Sequence, residues 1–252
     1  MCQLLGMNAN TPTDVMFSFA GLSTRAAEHK DGFGIAFFEE RGARLFVDPN
    51  SACHSPVAEL VRRWPIRSRN VVAHIRKATQ GSVAVENTHP FMRELWGRHW
   101  VFAHNGDLKG FRPRLHGAFR PVGDTDSELA FCWLMQELSK AHADLPAVDE
   151  LSCTLRELLP QLAAHGTFNM LLTNGCALWA HATTRLFSVQ RAHPFGAATL
   201  ADEDLSVDFA ALTTPADRVA VIATEPLTTG EEWSVFAPGE LRVFDGGRQR
   251  AP

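Results

Sequence analysis

Short apolar segments, separated by turns rich in glycine, proline and asparagine, run along most of the chain. Segments of this length, with apolar residues in alternate or consecutive positions, are typical of β-strands buried on one or both faces. The pattern predicts strands over residues 3–7, 34–38, 45–47, 71–75, 100–103, 168–172, 177–180, 186–189, 219–223, 233–236 and 241–244.

Helix signals are fewer than strand signals. Pro56 stands at the favoured first position of one predicted helix, and Thr125 with Glu128 has the spacing of a capping box in front of another. Because the strands outnumber the helices and do not alternate with them as in βαβ units, we expect an α+β fold. Two packed sheets would be flanked by helices in one domain over residues 1–252. The predicted helices span residues 13–20, 55–61, 129–138 and 149–164.

Composition and charge exclude several classes of function. Hydrophobic residues make up 45% and charged residues 21% of the 252 residues, as in ordinary globular proteins. The net charge of -4 argues against a nucleic-acid partner, which favours a basic surface. No apolar run approaches the length of a membrane span, and the amino terminus lacks a secretory signal pattern. We therefore expect neither membrane insertion nor export.

The cysteines and histidines predict a reducing compartment and no metal site. Five cysteines, an odd number without a CxxC pair, fit reduced thiols in the cytoplasm better than a disulfide framework. The spacing of the histidines and cysteines matches no zinc-binding pattern, so we expect neither a metal nor another cofactor.

The most informative single residue is Cys2, directly behind the initiator methionine. Because cysteine is small, we expect removal of Met1, which would leave a thiol and a free α-amine on one residue. The reference pKa of such an amine, about 7.7–8.0, suits a base for its own nucleophile. Cys2 is therefore a candidate nucleophile that needs no Ser-His-Asp relay.

Polar clusters follow two of the predicted strands, the first at residues 76–81 and the second at residues 104–107, and a further polar segment at residues 86–91 follows the first after a short loop. In the second cluster, the side-chain amide of Asn105 and the backbone N–H of Gly106 can supply two donors to an oxyanion. Such donors are worth roughly 3–4 kcal/mol each. The alternative is that Asn-Gly forms a type I′ hairpin turn, for which this pair is the strongest short signal.

Arg76 and Asp126 suit the two ends of an amino-acid substrate. A guanidinium group binds an α-carboxylate through paired hydrogen bonds, and a carboxylate accepts hydrogen bonds from an α-ammonium group. The alternatives are a surface arginine at a strand end, and a first-turn acid that complements the dipole of the following helix.

Taken in chain order, these residues resemble a known family. The motifs are Cys2, Asp31-Gly32-Phe33-Gly34-Ile35-Ala36, Arg76-Lys77-Ala78-Thr79, Glu86-Asn87-Thr88-His89-Pro90-Phe91, His104-Asn105-Gly106 and Thr125-Asp126-Ser127-Glu128. At these spacings they resemble the class II glutamine amidotransferases, which are N-terminal-nucleophile hydrolases. The resemblance to their glutaminase domain covers residues 1 to about 200, and the whole chain resembles a bacterial stand-alone subgroup. It implies a four-layer αββα sandwich of two mainly antiparallel sheets.

The resemblance also implies a mechanism. Cys2 would attack the γ-amide of glutamine, with its own α-amine as the base, and would form a γ-glutamyl thioester. Asn105 and Gly106 would form the oxyanion hole. Ammonia would leave first, and water would then release glutamate.

The same resemblance assigns the substrate-binding residues. Arg76, helped by Thr79, would hold the α-carboxylate of glutamine, and Asp126 would hold its α-ammonium group. Positions that would support the glutamine site are Gly32, Phe33 and His89.

Two departures from the family pattern leave the substrate open. The usual Arg-Trp-Ala-Thr is Arg76-Lys77-Ala78-Thr79 here, and the histidine that often follows is Gln80. We also expect no fused synthase domain to consume the ammonia, because 252 residues leave no room for one. We therefore expect either glutamine hydrolysis, with a separate ammonia-accepting partner protein, or hydrolysis of a larger γ-glutamyl compound or glutathione-like peptide. A further alternative is a catalytically idle domain that binds a ligand or a partner.

Overall fold

The computed structural model describes residues 2–24, 30–64, 66–77 and 81–251. Its helices are α1 (Met16–Thr24), α2 (Pro56–Arg63), α3 (Asp126–Ala141) and α4 (Val148–Ala163). Its strands are β1 (Gln3–Asp14), β2 (Phe33–Glu39), β3 (Gly42–Asp48), β4 (Arg67–Ile75), β5 (Phe91–Leu95), β6 (Arg98–Leu108), β7 (Gly166–Thr173), β8 (Ala177–Ala182), β9 (Phe187–Ala192), β10 (Ala197–Leu200), β11 (Ser206–Asp208), β12 (Arg218–Ala223), β13 (Thr228–Thr229), β14 (Ser234–Val235), β15 (Glu240–Asp245) and β16 (Arg248–Gln249).

The strands form two large sheets and one small sheet. The first large sheet has the order β14-β9-β12-β1-β4-β2-β3, and the second has the order β16-β15-β8-β7-β6-β5. The small sheet has the order β11-β10-β13. Neighbouring strands run antiparallel in all three sheets.

Side chains of the first large sheet alternate between two hydrophobic cores, an outer core on one face and an inner core on the other. In β1, Leu5 and Met7 face a core that also contains Phe19 of α1 and Val61 of α2. Leu4 faces the other core, which lies between the two large sheets. Because successive side chains of a strand point to opposite faces, α1 and α2 cover the outer face of this sheet.

The second large sheet follows the same rule. In β6, Val101 and Ala103 face the core between the sheets, whereas Phe102 faces outwards. The Phe102 ring stacks on Phe131 of α3, with ring centroids 5.0 Å apart. The layers are therefore helices, sheet, sheet and helices, which confirms the α+β class and the αββα sandwich that the resemblance implied.

The element predictions need a few corrections. β1 continues to Asp14, so the helix predicted from residue 13 begins at Met16, whose N–H is capped by Asp14 Oδ1 at 2.8 Å. Strands β5, β10, β11, β13 and β16 were not predicted, because they are short or carry charged residues. None of the helices in the described part of the chain has the length and apolarity needed to cross a bilayer.

Several strand ends meet at one edge of the sandwich. Gln3, the first residue of β1, lies opposite Ile75, the last residue of β4, and Phe33 at the start of β2 also pairs with Ile75. This edge therefore holds Cys2 together with the residues that follow β4. The end of β6 contributes Asn105 from the second sheet, through a hydrogen bond to Cys2.

Candidate active site

Cys2 lies at the start of β1, partly buried, with its thiol between two backbone groups of Lys77. The Lys77 N–H donates to Cys2 Sγ over 3.2 Å, and the thiol donates to the Lys77 carbonyl oxygen over 3.3 Å. Burial raises the pKa of the Cys2 thiol, and the Lys77 N–H opposes part of this increase by stabilising the thiolate. Because the thiol stays protonated at neutral pH, it needs a base to become a nucleophile.

Asn105 and Gly106 lie inside β6, so the interpretation of this pair as a hairpin turn is wrong. Both residues pair with β7, where Gly106 lies opposite Phe168. The Asn105 Nδ2 donates to the Cys2 carbonyl oxygen over 2.7 Å, which ties the end of β6 to the candidate nucleophile. A Cβ on Gly106 would lie 1.8 Å from the Thr167 carbonyl oxygen, so only glycine allows this approach.

Arg76 directly follows β4, and only 3% of its surface is exposed. Its Nη1 donates to the Ser82 carbonyl oxygen over 2.9 Å, and its Nη2 donates to the Gly81 carbonyl oxygen over 3.3 Å. Its backbone N–H donates to the carbonyl oxygen of Gly32 over 2.8 Å. The interpretation of Arg76 as a surface residue is therefore wrong, because its guanidinium group is enclosed at the end of the sandwich.

Asp126 is the first residue of α3, behind Thr125, whose hydroxyl caps the helix by accepting the Glu128 N–H over 3.2 Å. One Asp126 oxygen, Oδ2, accepts the Leu108 N–H over 2.7 Å, and Oδ1 accepts the Ser127 N–H over 2.9 Å. These bonds orient the carboxylate towards the end of β6. The predicted N-cap role of Thr125 is confirmed, but Glu128 does not complete a capping box, because its Oε2 accepts the N–H groups of Val122 and Gly123. The helix-dipole role of Asp126 remains compatible with a binding role.

His89 is buried beside the same cavity. The centroids of the His89 and His74 rings lie 4.4 Å apart. Neither ring nitrogen of His89 has a hydrogen-bond partner among the described residues. Burial, followed by the nearby charges of His74, His104 and Arg76, holds the pKa of His89 well below its usual range. His89 is therefore neutral at physiological pH.

The other proposed supporting positions are not all at the cavity. Phe33 is fully buried in the core under α1, with its ring centroid 6.5 Å from that of Phe19, so its side chain does not line the cavity. Gly32 contributes its carbonyl oxygen to the Arg76 backbone. Thr79 and Gln80 lie outside the described residues.

From the sequence we expect His104, at the end of an apolar strand, to be a core or hydrogen-bonding histidine, and Ser127 has no role of its own; both line the cavity. His104 Nε2 lies 3.2 Å from the Thr167 carbonyl oxygen, and Nδ1 lies 2.8 Å from Ser127 Oγ. Because a carbonyl oxygen only accepts, Nε2 carries the hydrogen and the Ser127 hydroxyl donates to Nδ1. A serine in the first turn of a helix is common, so its sequence context carried no distinguishing signal.

The residues line a cavity of about 30 Å³. Among the residues that the structure describes, no group of three or more His, Cys, Asp or Glu side chains is placed to hold a metal ion. The lining residues are Cys2, His74, Arg76, Lys77, His89, His104, Gly106, Thr125, Asp126 and Ser127.

The fold brings together a thiol at the start of a central strand, a buried amide beside it, and an arginine and an aspartate at the same cavity. A family model described as "Glutamine amidotransferases class-II" matches residues 1–251. The chain belongs to the class II glutamine amidotransferases, a family of amide-hydrolysing enzymes.

Similar proteins agree with this assignment. The chain is 51% identical over 248 residues to the Escherichia coli (strain K12) protein named "Putative glutamine amidotransferase YafJ", with 97% of each chain covered. A crystal structure titled as a predicted glutamine amidotransferase from Pseudomonas aeruginosa is 41% identical, with a TM-score of 0.80 and 100% of both chains covered.

A more distant structural likeness extends to the glutamine phosphoribosylpyrophosphate amidotransferase of B. subtilis, with a TM-score of 0.60. At 14% identity, over 99% of this chain and 48% of that one, this likeness shows the shared fold alone.

Proposed function

We propose that this protein hydrolyses the γ-amide of glutamine through a thioester on Cys2. The observation that carries the proposal is the hydrogen bond from Asn105 Nδ2 to the Cys2 carbonyl oxygen, which fixes an amide donor beside the thiol. An amide nitrogen has two hydrogens, so a second N–H remains for an oxyanion that develops when the thiol adds to a carbonyl. The Gly106 N–H, one residue further along β6, is the proposed second donor.

The first half of the reaction forms the thioester. After removal of Met1, the α-amine of Cys2 accepts the thiol proton, and Sγ attacks the γ-carboxamide carbon of glutamine. The tetrahedral intermediate then collapses, the carbon–nitrogen bond breaks, and the proton held by the amine passes to the leaving nitrogen to give ammonia. Because burial raises the pKa of the Cys2 thiol, this base is required at neutral pH.

The second half of the reaction releases glutamate. Water gives a proton to the same α-amine and attacks the thioester carbon. The carbon–sulfur bond breaks, and the sulfur takes the proton back from the amine. The γ-carboxyl group of glutamate then forms and gives its own proton to the solvent. The net change is glutamine plus water to glutamate plus ammonia.

Arg76 and Asp126 are proposed to bind the two ends of the substrate. Arg76 is buried at the cavity and carries the positive charge that an α-carboxylate requires. The Asp126 carboxylate is oriented by backbone N–H groups and can accept hydrogen bonds from an α-ammonium group. Thr79 and His89 are proposed to assist the same site.

Lys77 favours a second candidate substrate class. Its side chain is exposed at the cavity, where the family pattern has an aromatic residue. A lysine at that position can meet a carboxylate on the leaving amine, as in a γ-glutamyl peptide. With glutamine, an ammonia-accepting partner protein would be the natural consumer of the product.

Intact mass spectrometry after incubation with a diazoketone analogue of glutamine tests the proposal. We expect the mass of the chain without Met1 plus one adduct, mapped to Cys2, and no adduct on the exposed Cys53. Processed protein without an adduct would favour the larger γ-glutamyl substrates. Retained Met1 without an adduct would contradict the mechanism.

A further inference from the structure

Asn87 joins two loops at the rim of the cavity. It is 1% exposed, at the end of the short 3₁₀ turn Val85–Asn87. Its Nδ2 donates to Asp124 Oδ1 over 2.7 Å, and its Oδ1 accepts the Asp124 N–H over 3.0 Å. Because a backbone N–H can only donate, the second bond fixes which end of the amide is oxygen. We call this pair of bonds the Asn87–Asp124 clasp.

On one side, the clasp supports the loop that holds Arg76. Asn87 Nδ2 lies 3.2 Å from both the carbonyl oxygen and the hydroxyl oxygen of Ser82. The same Ser82 carbonyl oxygen accepts from Arg76 Nη1. One backbone carbonyl therefore receives both the guanidinium group and the amide, so the position of Arg76 depends on Asn87.

On the other side, the clasp supports the start of α3. Asp124 precedes the capping residue Thr125 and the proposed ammonium-binding residue Asp126. The preceding loop is also bound to α3, because Glu128 Oε2 accepts the N–H groups of Val122 and Gly123 over 3.0 and 2.7 Å. Hydrogen bonds therefore join this loop to the start of α3, and the clasp ties both to the loop that holds Arg76.

Two glycines show how closely the loops approach. A Cβ on Gly123 would lie 2.1 Å from Asn87 Oδ1, and a Cβ on Gly81 would lie 2.9 Å from Asp124 Oδ1. Gly81 also has a φ of +73°, which favours glycine. The separation of the two loops is therefore set by direct contact, with no room for an intervening side chain.

We infer that Asn87 is a positioning residue, which sets the spacing between Arg76 and Asp126 and thereby the grip on the two ends of the α-amino acid. This inference rests on the proposed function. Asn87 itself does not line the cavity, so its loss should weaken substrate binding and leave the chemical step largely intact.

The variant Asn87→Asp tests this role. It keeps the size of the side chain but places a carboxylate oxygen against Asp124 Oδ1, and the two negative charges repel each other. We expect KM for glutamine to rise at least tenfold, with kcat within about threefold of wild type. The double variant Asn87→Asp/Asp124→Asn restores a donor–acceptor pair across the clasp but not the donor to the Ser82 carbonyl oxygen. We therefore expect its KM to lie between those of wild type and Asn87→Asp.

Asn8→Asp is the matched control. Asn8 is also 1% exposed and donates through Nδ2 to another side-chain oxygen, Asn70 Oδ1, over 2.9 Å. It lies further along β1, away from the cavity, so this variant should lower the melting temperature without changing KM.

The outcomes separate the two claims. Glutamine turnover by wild type, together with an unchanged KM in Asn87→Asp or the same KM rise in Asn8→Asp, would overturn the positioning role alone. An absence of glutamine turnover by the processed wild-type chain would overturn the proposed function, and the positioning role with it.

Discussion

The backbone of Lys77 contacts the thiol of Cys2 from both sides, with its N–H 3.2 Å and its carbonyl oxygen 3.3 Å from Sγ. These contacts use main-chain atoms, so they do not depend on which side chain follows Arg76. The replacement of the family's usual aromatic residue by lysine therefore leaves the nucleophile's surroundings intact. It changes the exposed rim of the cavity instead.

Asn105→Ala should lower kcat for glutamine by about a hundredfold to a thousandfold, because it removes a proposed oxyanion donor. KM should change little, since Asn105 would act mainly on the developing negative charge. Steady-state kinetics of ammonia release measures both constants. Asn10→Ala is the control: Asn10 also donates through its amide to a backbone carbonyl, that of Ala216, but on a distant part of β1. A kcat for Asn105→Ala equal to that of the control would argue against the oxyanion role.

Asp126→Asn should raise KM for glutamine at least tenfold, because the neutral amide lacks the charge that attracts an α-ammonium group. Asp149→Asn separates this effect from the helix-dipole effect, since Asp149 is a first-turn acid of α4. The control should cost at most about 1 kcal/mol of stability and leave KM unchanged. Equal KM values in the two variants would indicate that Asp126 acts only as a first-turn acid that complements the helix dipole.

Protein stability should fall as the pH drops below about 6.5, the ordinary histidine pKa. The lowered pKa of His89 keeps its ring neutral in the folded state. Below pH 6.5 the unfolded chain therefore binds a proton at His89 that the folded chain does not bind. The free energy of unfolding should therefore rise with pH up to that value, by up to about 1.4 kcal/mol per pH unit from His89.

Urea unfolding at several pH values checks this slope. His89→Gln should reduce the change of the free energy of unfolding with pH, whereas His54→Gln, which changes an exposed histidine, should not. Comparing slopes removes any constant destabilisation that the buried glutamine causes. A slope that survives unchanged in His89→Gln would contradict the assignment.

Gly106→Ala should destabilise the fold by about 3 kcal/mol or more, because the new methyl group would overlap the Thr167 carbonyl oxygen and force β6 and β7 apart. Gly196→Ala is the control, since a Cβ there meets nothing within 4 Å. It should stay within about 1 kcal/mol of wild type in the same urea titration. A mild effect at Gly106 would mean that the strand pairing tolerates the displacement.

The sequence contained enough information to predict most of the layers and the ends of the strands at the site. Apolar alternation placed β4 and β6. The polar residues that directly follow β4 and those at the end of β6 meet at one edge of the sandwich. Short or charged strands such as β5 were missed, because their burial comes from neighbouring elements and not from their own pattern.

Local sequence could not decide between alternatives that depend on long-range pairing. Asn105-Gly106 has the strongest hairpin signal, yet pairing with β7 keeps both residues in the strand. The sequence around Arg76 is typical of a surface arginine at a strand end. In the fold, its guanidinium group is instead enclosed and donates to the Ser82 carbonyl oxygen. Phe33 stands within a matching motif, but strand alternation turns its ring into the core under α1.

Ammonia release from glutamine by the processed wild-type chain and by Cys2→Ala is the most direct test of the central claim. The account predicts turnover by wild type, a γ-glutamyl adduct on Cys2 after acid quenching, and neither in Cys2→Ala, with the melting temperature preserved. Equal ammonia release by the two proteins would contradict the role of Cys2. Glutamine binding by wild type without any turnover would instead indicate a catalytically idle member of the family.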